Sequence, residues 1–274
     1  MIRLTFALIL IASAATAQDR RPSHCIALAD ATDGLEYVQL ASFTDPVAAF
    51  SVRLRYVDHA TFLIQTPGGH SIATDYAGFL GATTFLPEVV TMNIAHETHW
   101  TAFPDPAIPH VLEGWGTAEA PRDHYLELSD VLVRNVHTDI RSRFDGEPRV
   151  NGNSIFVFEV EGLCIAHLGH LHHEPDVGQY AALGRIDVVM VPVDGGFTMD
   201  QSAMINVLQR LRSSVVIPMH WFGQSNLERF LDGMAAEFAI DRREGSSLEV
   251  SLRSLPDRPT VVVLQPEWLA DARE

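Results

Sequence analysis

Four histidines fall within one seven-residue stretch, His167-Leu168-Gly169-His170-Leu171-His172-His173. Another, His220, closes the apolar run Val215-Val216-Ile217-Pro218-Met219. Neutral imidazole is the commonest side-chain metal ligand near neutral pH. A β-branched run that ends in histidine reads as a strand delivering a ligand to a rim. His96 and His99 follow a third such run, Val89 to Ala95. Two histidines at that spacing reach one ion where the backbone curls; equally they form a surface pair. His137 ends the run Val131 to Val136, with Asp139 just beyond it, although a histidine in that setting is also an ordinary loop residue. In extended chain alternate residues share a side, so His170 and His172 face together and His173 faces away. Gly169 allows close backbone approach there, while a solvated histidine-rich turn is the plainer alternative. The chemistry such a set could do is hydrolysis by an ion-activated water.

Several residues could support it. Asp194-Gly195-Gly196 forms a turn after the run Val191-Pro192-Val193, and Glu97 and Asp139 lie beside the histidines in sequence. These three acids, Glu97, Asp139 and Asp194, are the candidate general bases. His59, Asp75 and His172 abut strands or ligands and are candidates for orienting them from behind; for Asp75, capping a turn is the rival role.

Other chemistries are excluded or disfavoured. The chain has no lysine, its 19 basic residues all being arginine, so Schiff-base catalysis and a P-loop are ruled out. A net charge of −16 argues against a nucleic-acid partner. No Gly-x-Ser-x-Gly elbow and no Cys-x-x-Cys pair occur. The partner expected is a small-molecule substrate.

The elements that must position these residues follow from pattern. Residues 1–17 read as a signal peptide, with Arg3, an apolar core from Leu4 to Ala12 and Ala15-Thr16-Ala17 as the cleavage site. The core is too short for a permanent anchor, so the mature chain is expected to be periplasmic or secreted, without a membrane anchor. Cys25 and Cys164 could then pair, or remain two separate thiols. Residues 18–50 read as an N-terminal extension and 51–274 as one domain. Strands are expected over 51–57, 61–66, 71–75, 89–95, 131–136, 154–160, 163–168, 186–193, 215–219, 248–252 and 261–264. Helices are expected over 176–183, 200–211 and 226–238. Residues 101–124 and 141–153 read as loops, the former carrying Phe103 and Trp115, which with Trp100 form a substrate wall or else, Trp115 above all, serve as packing.

Taken in order, five segments resemble the metallo-β-lactamase superfamily, in the branch of ascorbate-6-phosphate-lactonase-like and related metal-dependent hydrolases. They are Asp58-His59-Ala60-Thr61-Phe62, Ile72-Ala73-Thr74-Asp75, Ile165-Ala166-His167-Leu168-Gly169-His170, Ile186 to Gly196, and Ile217-Pro218-Met219-His220. The resemblance implies an α+β fold, an αββα sandwich with metal at the rim where strand-end loops meet. By position His96 and His99 would stand for the first histidine cluster, His137 for the middle histidine, His170 for the bridging aspartate and His220 for the last histidine. The family's His-x-His-x-Asp-His is degenerate here, as His96-Glu97-Thr98-His99. Loss of two carboxylates leaves an imidazole site that suits zinc better than magnesium or calcium. One zinc ion is expected, with no anionic bridge to hold a second. The function expected is an exported hydrolase of an ester, lactone, amide or phosphoester. The alternatives are a non-catalytic metal-binding protein of the same fold and a binding module without metal.

Overall fold

The computed structural model describes residues 20, 21, 23–27, 42–142 and 146–271. The signal-like segment over 1–17 lies outside the described residues. In chain order the strands are β1 (Ser51–Asp58), β2 (Thr61–Gln65), β3 (Ser71–Ala73), β4 (Gly81–Ala82), β5 (Val89–Met92), β6 (His110–Glu113), β7 (Tyr125–Glu127) and β8 (Val131–Ile140). There follow β9 (Arg149–Val160), β10 (Leu163–His167), β11 (Val188–Pro192), β12 (Val215–Met219), β13 (Ala239–Arg242), β14 (Ser247–Ser251), β15 (Thr260–Val263) and β16 (Leu269–Ala270). The helices are α1 (His24–Ala27), α2 (Val177–Leu183), α3 (Gln201–Leu211) and α4 (Gln224–Met234).

Two large sheets form the frame. One has six strands in the order β14-β1-β2-β3-β5-β6, the other eight in the order β13-β15-β12-β11-β10-β9-β8-β7. Every residue of β11 and of β12 is buried. Parallel strands covered on both faces read as unbroken apolar runs, which is why these two were legible. Their alternate side chains divide between two cores. Val188 and Met190 meet Leu54, Phe62 and Ile64 of the six-stranded sheet. Val189 and Val191 meet Met204, Val207 and Leu208 of α3 and Phe230 and Leu231 of α4. Asp200 caps α3 by accepting from the Ser202 amide. Asp176 and Gln179 make a reciprocal capping box at α2.

The α+β sandwich expected from the sequence is the architecture seen. Its layers are not symmetric among the described residues. Helices cover the eight-stranded sheet, whereas the outer face of the six-stranded sheet is covered by loop residues Phe43, Tyr76, Leu80 and Ile108, with Leu269 from β16. Among the described residues no helix is long and apolar enough to cross a membrane.

Two expected loops contain strands. Residues 141–153 were expected to be loop because of their Gly and Pro. Instead β9 begins at Arg149 and pairs with β8 as far as Ile140; the ladder to a long neighbour overrides local composition. Within 101–124, β6 lies parallel to β5 as the edge of its sheet. Cys25 and Cys164 form a disulfide, with Cα atoms 5.7 Å apart, which pins the N-terminal extension to β10.

Candidate metal centre

Five chain segments converge where parallel strands end. β3 runs into Asp75, β5 into the turn bearing His96 and His99, β10 into His167 and His170, β11 into Asp194, and β12 into His220. The β1–β2 turn adds His59. The carboxyl ends of parallel strands are the usual place for a site, because loops there are free of the ladder.

Hydrogen bonds lock the segments together. The His59 carbonyl accepts from the His220 amide at 2.8 Å and from the Tyr56 hydroxyl at 2.7 Å, joining the two sheets. His59, Asp75 and His220 all have positive φ, 44°, 46° and 57°. Such backbone is costly for residues with a Cβ and persists where surroundings over-determine it. The His99 amide donates to the His96 carbonyl at 2.7 Å, which curls the chain and turns His99 inward. Gly169 has φ 59°, and a Cβ there would lie 2.4 Å from Asn93 Nδ2 and 2.7 Å from Asn153 Oδ1.

One ring nitrogen from each of His59, His99 and His220 lies within 4.8 Å of the other two. His99 Nδ1 donates to Asp75 Oδ2 at 2.8 Å and His220 Nδ1 to Asp194 Oδ2 at 2.9 Å. Both Nε2 atoms are therefore bare lone pairs, and they face each other at 3.2 Å. Two nitrogens on a tetrahedral zinc, each about 2.0–2.1 Å from it, lie roughly 3.3 Å apart. His59 Nε2 is buried without a hydrogen-bond partner. Two opposed lone pairs and an orphaned third nitrogen suit a cation, so the donor set fits a metal ion. The other histidine–cysteine group, His24, Cys25 and Cys164, is closed by the disulfide.

The electrostatics favour neutral rings at His59 and His99. Burial, then the neighbouring rings of His220 and His99, push His59 down to about 3. Burial and the same kind of crowding hold His99 well below the usual histidine range. Burial pushes Asp75 up to about 6, against the pull of His167 and of the Asn93 amide. Burial also pushes Asp194 upward, but hydrogen bonds from His220 and Thr198 and the amides of its turn outweigh it and hold it low.

Not every residue singled out in the sequence reaches this centre. His96 and His170 border it, with ring centroids 5.7 Å and 4.9 Å from that of His99, outside the three-nitrogen group. His172 Nε2 lies 2.7 Å from His170 Nδ1. His59, expected to orient a ligand, instead contributes a nitrogen directly. His137 is not brought in. It lies within β8 rather than after it, paired with Ser154, and its Nε2 meets Asp123 at 3.0 Å. Strand pleating fixes that direction, which a loop residue would have been free to change. Asp139 lies within β8 and accepts from the Asn151 amide at 2.9 Å, and Glu97 is exposed. Asp194 accepts from the amides of Gly196, Phe197 and Thr198, from the Thr198 hydroxyl and from His220. A carboxylate so saturated orients His220 and cannot also collect a proton. Trp100 and Trp115 pack on each other in the loop layer, not around the centre. The wall beside the histidines is Phe222, whose ring lies 5.4 Å from His59 and 5.1 Å from His220, backed by Phe197 at 4.9 Å.

The family profile of the beta-lactamase superfamily domain matches residues 53–220, from β1 to the last histidine. The chain belongs to the metallo-β-lactamase superfamily. A Thermotoga maritima protein provisionally described as a zinc-dependent hydrolase of this superfamily is similar in structure, with a TM-score of 0.54 and 26% identity over 78% of this chain and 98% of that one. A metal-dependent hydrolase of Thermoplasma acidophilum is 26% identical over 58% of this chain and 65% of its own length. One from Pyrococcus abyssi is 31% identical over 29% of this chain and 36% of its own. The matches thus span between about a third and two thirds of those relatives. With His99 set on the last position of the superfamily's His-x-His-x-Asp-His, His96 falls on its second histidine. Ile94 and Thr98 then stand where the first histidine and the aspartate would be. The metallo-β-lactamase frame is retained, and the three-nitrogen group in it includes His59 of the β1–β2 turn.

Proposed function

We propose that this protein is an exported metal-dependent hydrolase with one ion, zinc by the chemistry of the donors, held by His59, His99 and His220. The observation that carries the reading is the pair of bare Nε2 atoms at 3.2 Å, each fixed by a buried carboxylate behind it. An all-imidazole set favours zinc or a neighbouring transition metal over magnesium or calcium. An ion bound there supplies a Lewis acid and an acidified water. The protein's own residues do the rest. Asp75 and Asp194 fix the tautomers of His99 and His220. Phe222, 59% exposed, and Phe197, 64% exposed, offer an apolar face for the acyl or alkoxy part of a substrate. The Cys25–Cys164 disulfide supports an oxidising compartment, as the signal-like leader does.

Metal content of protein purified from its native compartment tests this. About one equivalent of metal is expected, falling below about a tenth in His99→Ala and in His220→Ala. Ester, lactone, amide and phosphoester substrates should be turned over and the turnover abolished by a chelator. A metal-free wild-type protein overturns the reading.

One observation favours a second reading, a metal-binding protein without catalysis. Of the three acids singled out as bases, Glu97 is exposed, Asp139 is held within β8 and Asp194 is saturated. Full metal loading with no turnover on every substrate class would select it.

A further inference from the structure

We infer that His170 is a hydrogen-bond donor to the substrate rather than a metal ligand: it presents a protonated Nε2 to the site, where that N–H meets the carbonyl or phosphoryl oxygen on which negative charge builds. The inference rests on the hydrolase reading above and assigns a role within that site.

The proton positions follow from one backbone amide. The Arg141 N–H can only donate, and it points at His172 Nδ1 at 2.9 Å. His172 Nδ1 is therefore bare, and the neutral ring carries its proton on Nε2. That Nε2 lies 2.7 Å from His170 Nδ1. His172 donates and His170 Nδ1 accepts, which leaves the His170 proton on Nε2. The reverse arrangement would require His172 to accept on both nitrogens, an imidazolate. A doubly protonated His172 would set two N–H groups against each other at Arg141. His99 and His220 are fixed the opposite way, because carboxylates stand behind their Nδ1 atoms. The site therefore holds two imidazoles compelled to offer lone pairs and one compelled to offer a proton.

The geometry suits a donor. The His170 ring stands edge to face with His99 and His220, at 84° and 88°, with centroids 4.9 Å and 5.3 Å away. Its Nε2 has no hydrogen-bond partner among the described residues, on a residue that is 4% exposed. The support behind it is firm. Asn153 Oδ1 accepts from the His170 amide at 2.9 Å. The Arg141 guanidinium donates to the carbonyls of Gly196, Phe197 and Thr198, tying the His172 relay to the loop whose aspartate sets His220. His172 and Arg141 are positioning residues; His170 is the group that touches substrate.

Two measurements decide it. Long-range proton–nitrogen correlation on the full chain labelled with 15N-histidine reads tautomers directly. A proton on Nε2 of His170 and on Nδ1 of His99 and His220 is expected; a proton on Nδ1 of His170 overturns the inference. Zinc titration of the metal-free protein should give His170→Ala an affinity within about threefold of wild type, while His99→Ala loses at least about 100-fold. Loss of zinc in His170→Ala makes His170 a ligand and overturns it too. On any substrate turned over, His170→Ala should lower kcat by about 10²–10³ with little change in KM, the cost typical of a lost oxyanion donor. His170→Gln keeps an N–H and should recover at least about tenfold of that loss; unchanged kcat in His170→Ala refutes the role. A wild-type protein that takes up no zinc would defeat the hydrolase reading, whereas the tautomers, readable in the metal-free protein, still decide this one.

Discussion

At the scale of single residues, the centre is an arrangement of protons. Each imidazole has two nitrogens, and what lies behind one decides what the other offers. Asp75 behind His99 makes the prediction sharp. In Asp75→Asn the side-chain NH2 group or the carbonyl must meet the His99 Nδ1–H while the Asn93 amide still needs an acceptor at 3.0 Å. One of the two groups is left badly paired, and the His99 tautomer is no longer enforced. Metal affinity should fall by about 10- to 100-fold, as is typical when a ligand loses its supporting partner. Isothermal titration with zinc measures it, and an unchanged affinity would remove Asp75 from the centre. Phe222 acts differently, since it touches rings but offers no polar atom. Phe222→Ala should leave zinc affinity unchanged and raise KM for aryl or long-chain substrates by about 3- to 10-fold, in line with one lost aromatic contact. Comparison with an acetyl substrate, which cannot reach the ring, is the control.

At the scale of elements, strand ends deliver the chemistry and the turns between them aim it. This level was legible wherever a buried strand ran straight into a polar residue. His220 after β12 and Asp194 after β11 were found because an unbroken apolar run stops at them, and His99 because it follows His96 at the end of the run from Val89. His59 was undervalued because its part depends on a two-residue turn between β1 and β2 with φ 44°, and on a carbonyl bonded to the far sheet. Neither leaves a mark in periodicity. His137 was overvalued because β8 continues to Ile140, and the pairing that prolongs it comes from β9, distant in local pattern. The aromatic wall was sought among Trp100, Phe103 and Trp115, but Phe197 and Phe222 hold that place, brought beside the histidines by two separate turns. Gly169 is where a turn most depends on its residue. Its φ of 59° costs a residue with a Cβ about 1–2 kcal/mol, and the added carbon would meet Asn93 and Asn153 at 2.4 Å and 2.7 Å. Gly169→Ala should therefore lose more than the backbone term alone in urea unfolding, and should weaken zinc binding by displacing the loop. A variant as stable as wild type would show that the turn tolerates side chains.

At the scale of the whole molecule, residues 23–25 are fastened to the eight-stranded sheet beside β10. The disulfide joins Cys25 to Cys164 in β10, and beside it Glu159 of β9 gathers a network. Glu159 accepts from Arg134 Nε at 2.7 Å, from the Ser23 hydroxyl at 2.5 Å and from the His24 amide at 2.9 Å. Arg134 in turn donates to the carbonyls of Ala182 and Leu183 at the end of α2. One buried carboxylate thus joins strand, helix and extension. Burial alone would raise its pKa, but Arg134 and Ser23 outweigh burial and hold it below the usual glutamate range. A group whose folded pKa is depressed contributes stability that is complete above its unfolded value, about 4.3, and is lost as pH falls through the folded value. Glu159→Gln removes the charge and leaves Arg134 buried against a neutral amide. Breaking such a pair from one side costs about 3–5 kcal/mol. The variant should accordingly be less stable than wild type at pH 7, and the gap between them should narrow as pH falls below about 4.3, because wild type then loses the same charge. Urea midpoints measured across that range, with the disulfide intact in both proteins, give the comparison. A gap that stays constant with pH would mean the carboxylate's charge contributes nothing and that only its hydrogen bonds fasten the extension.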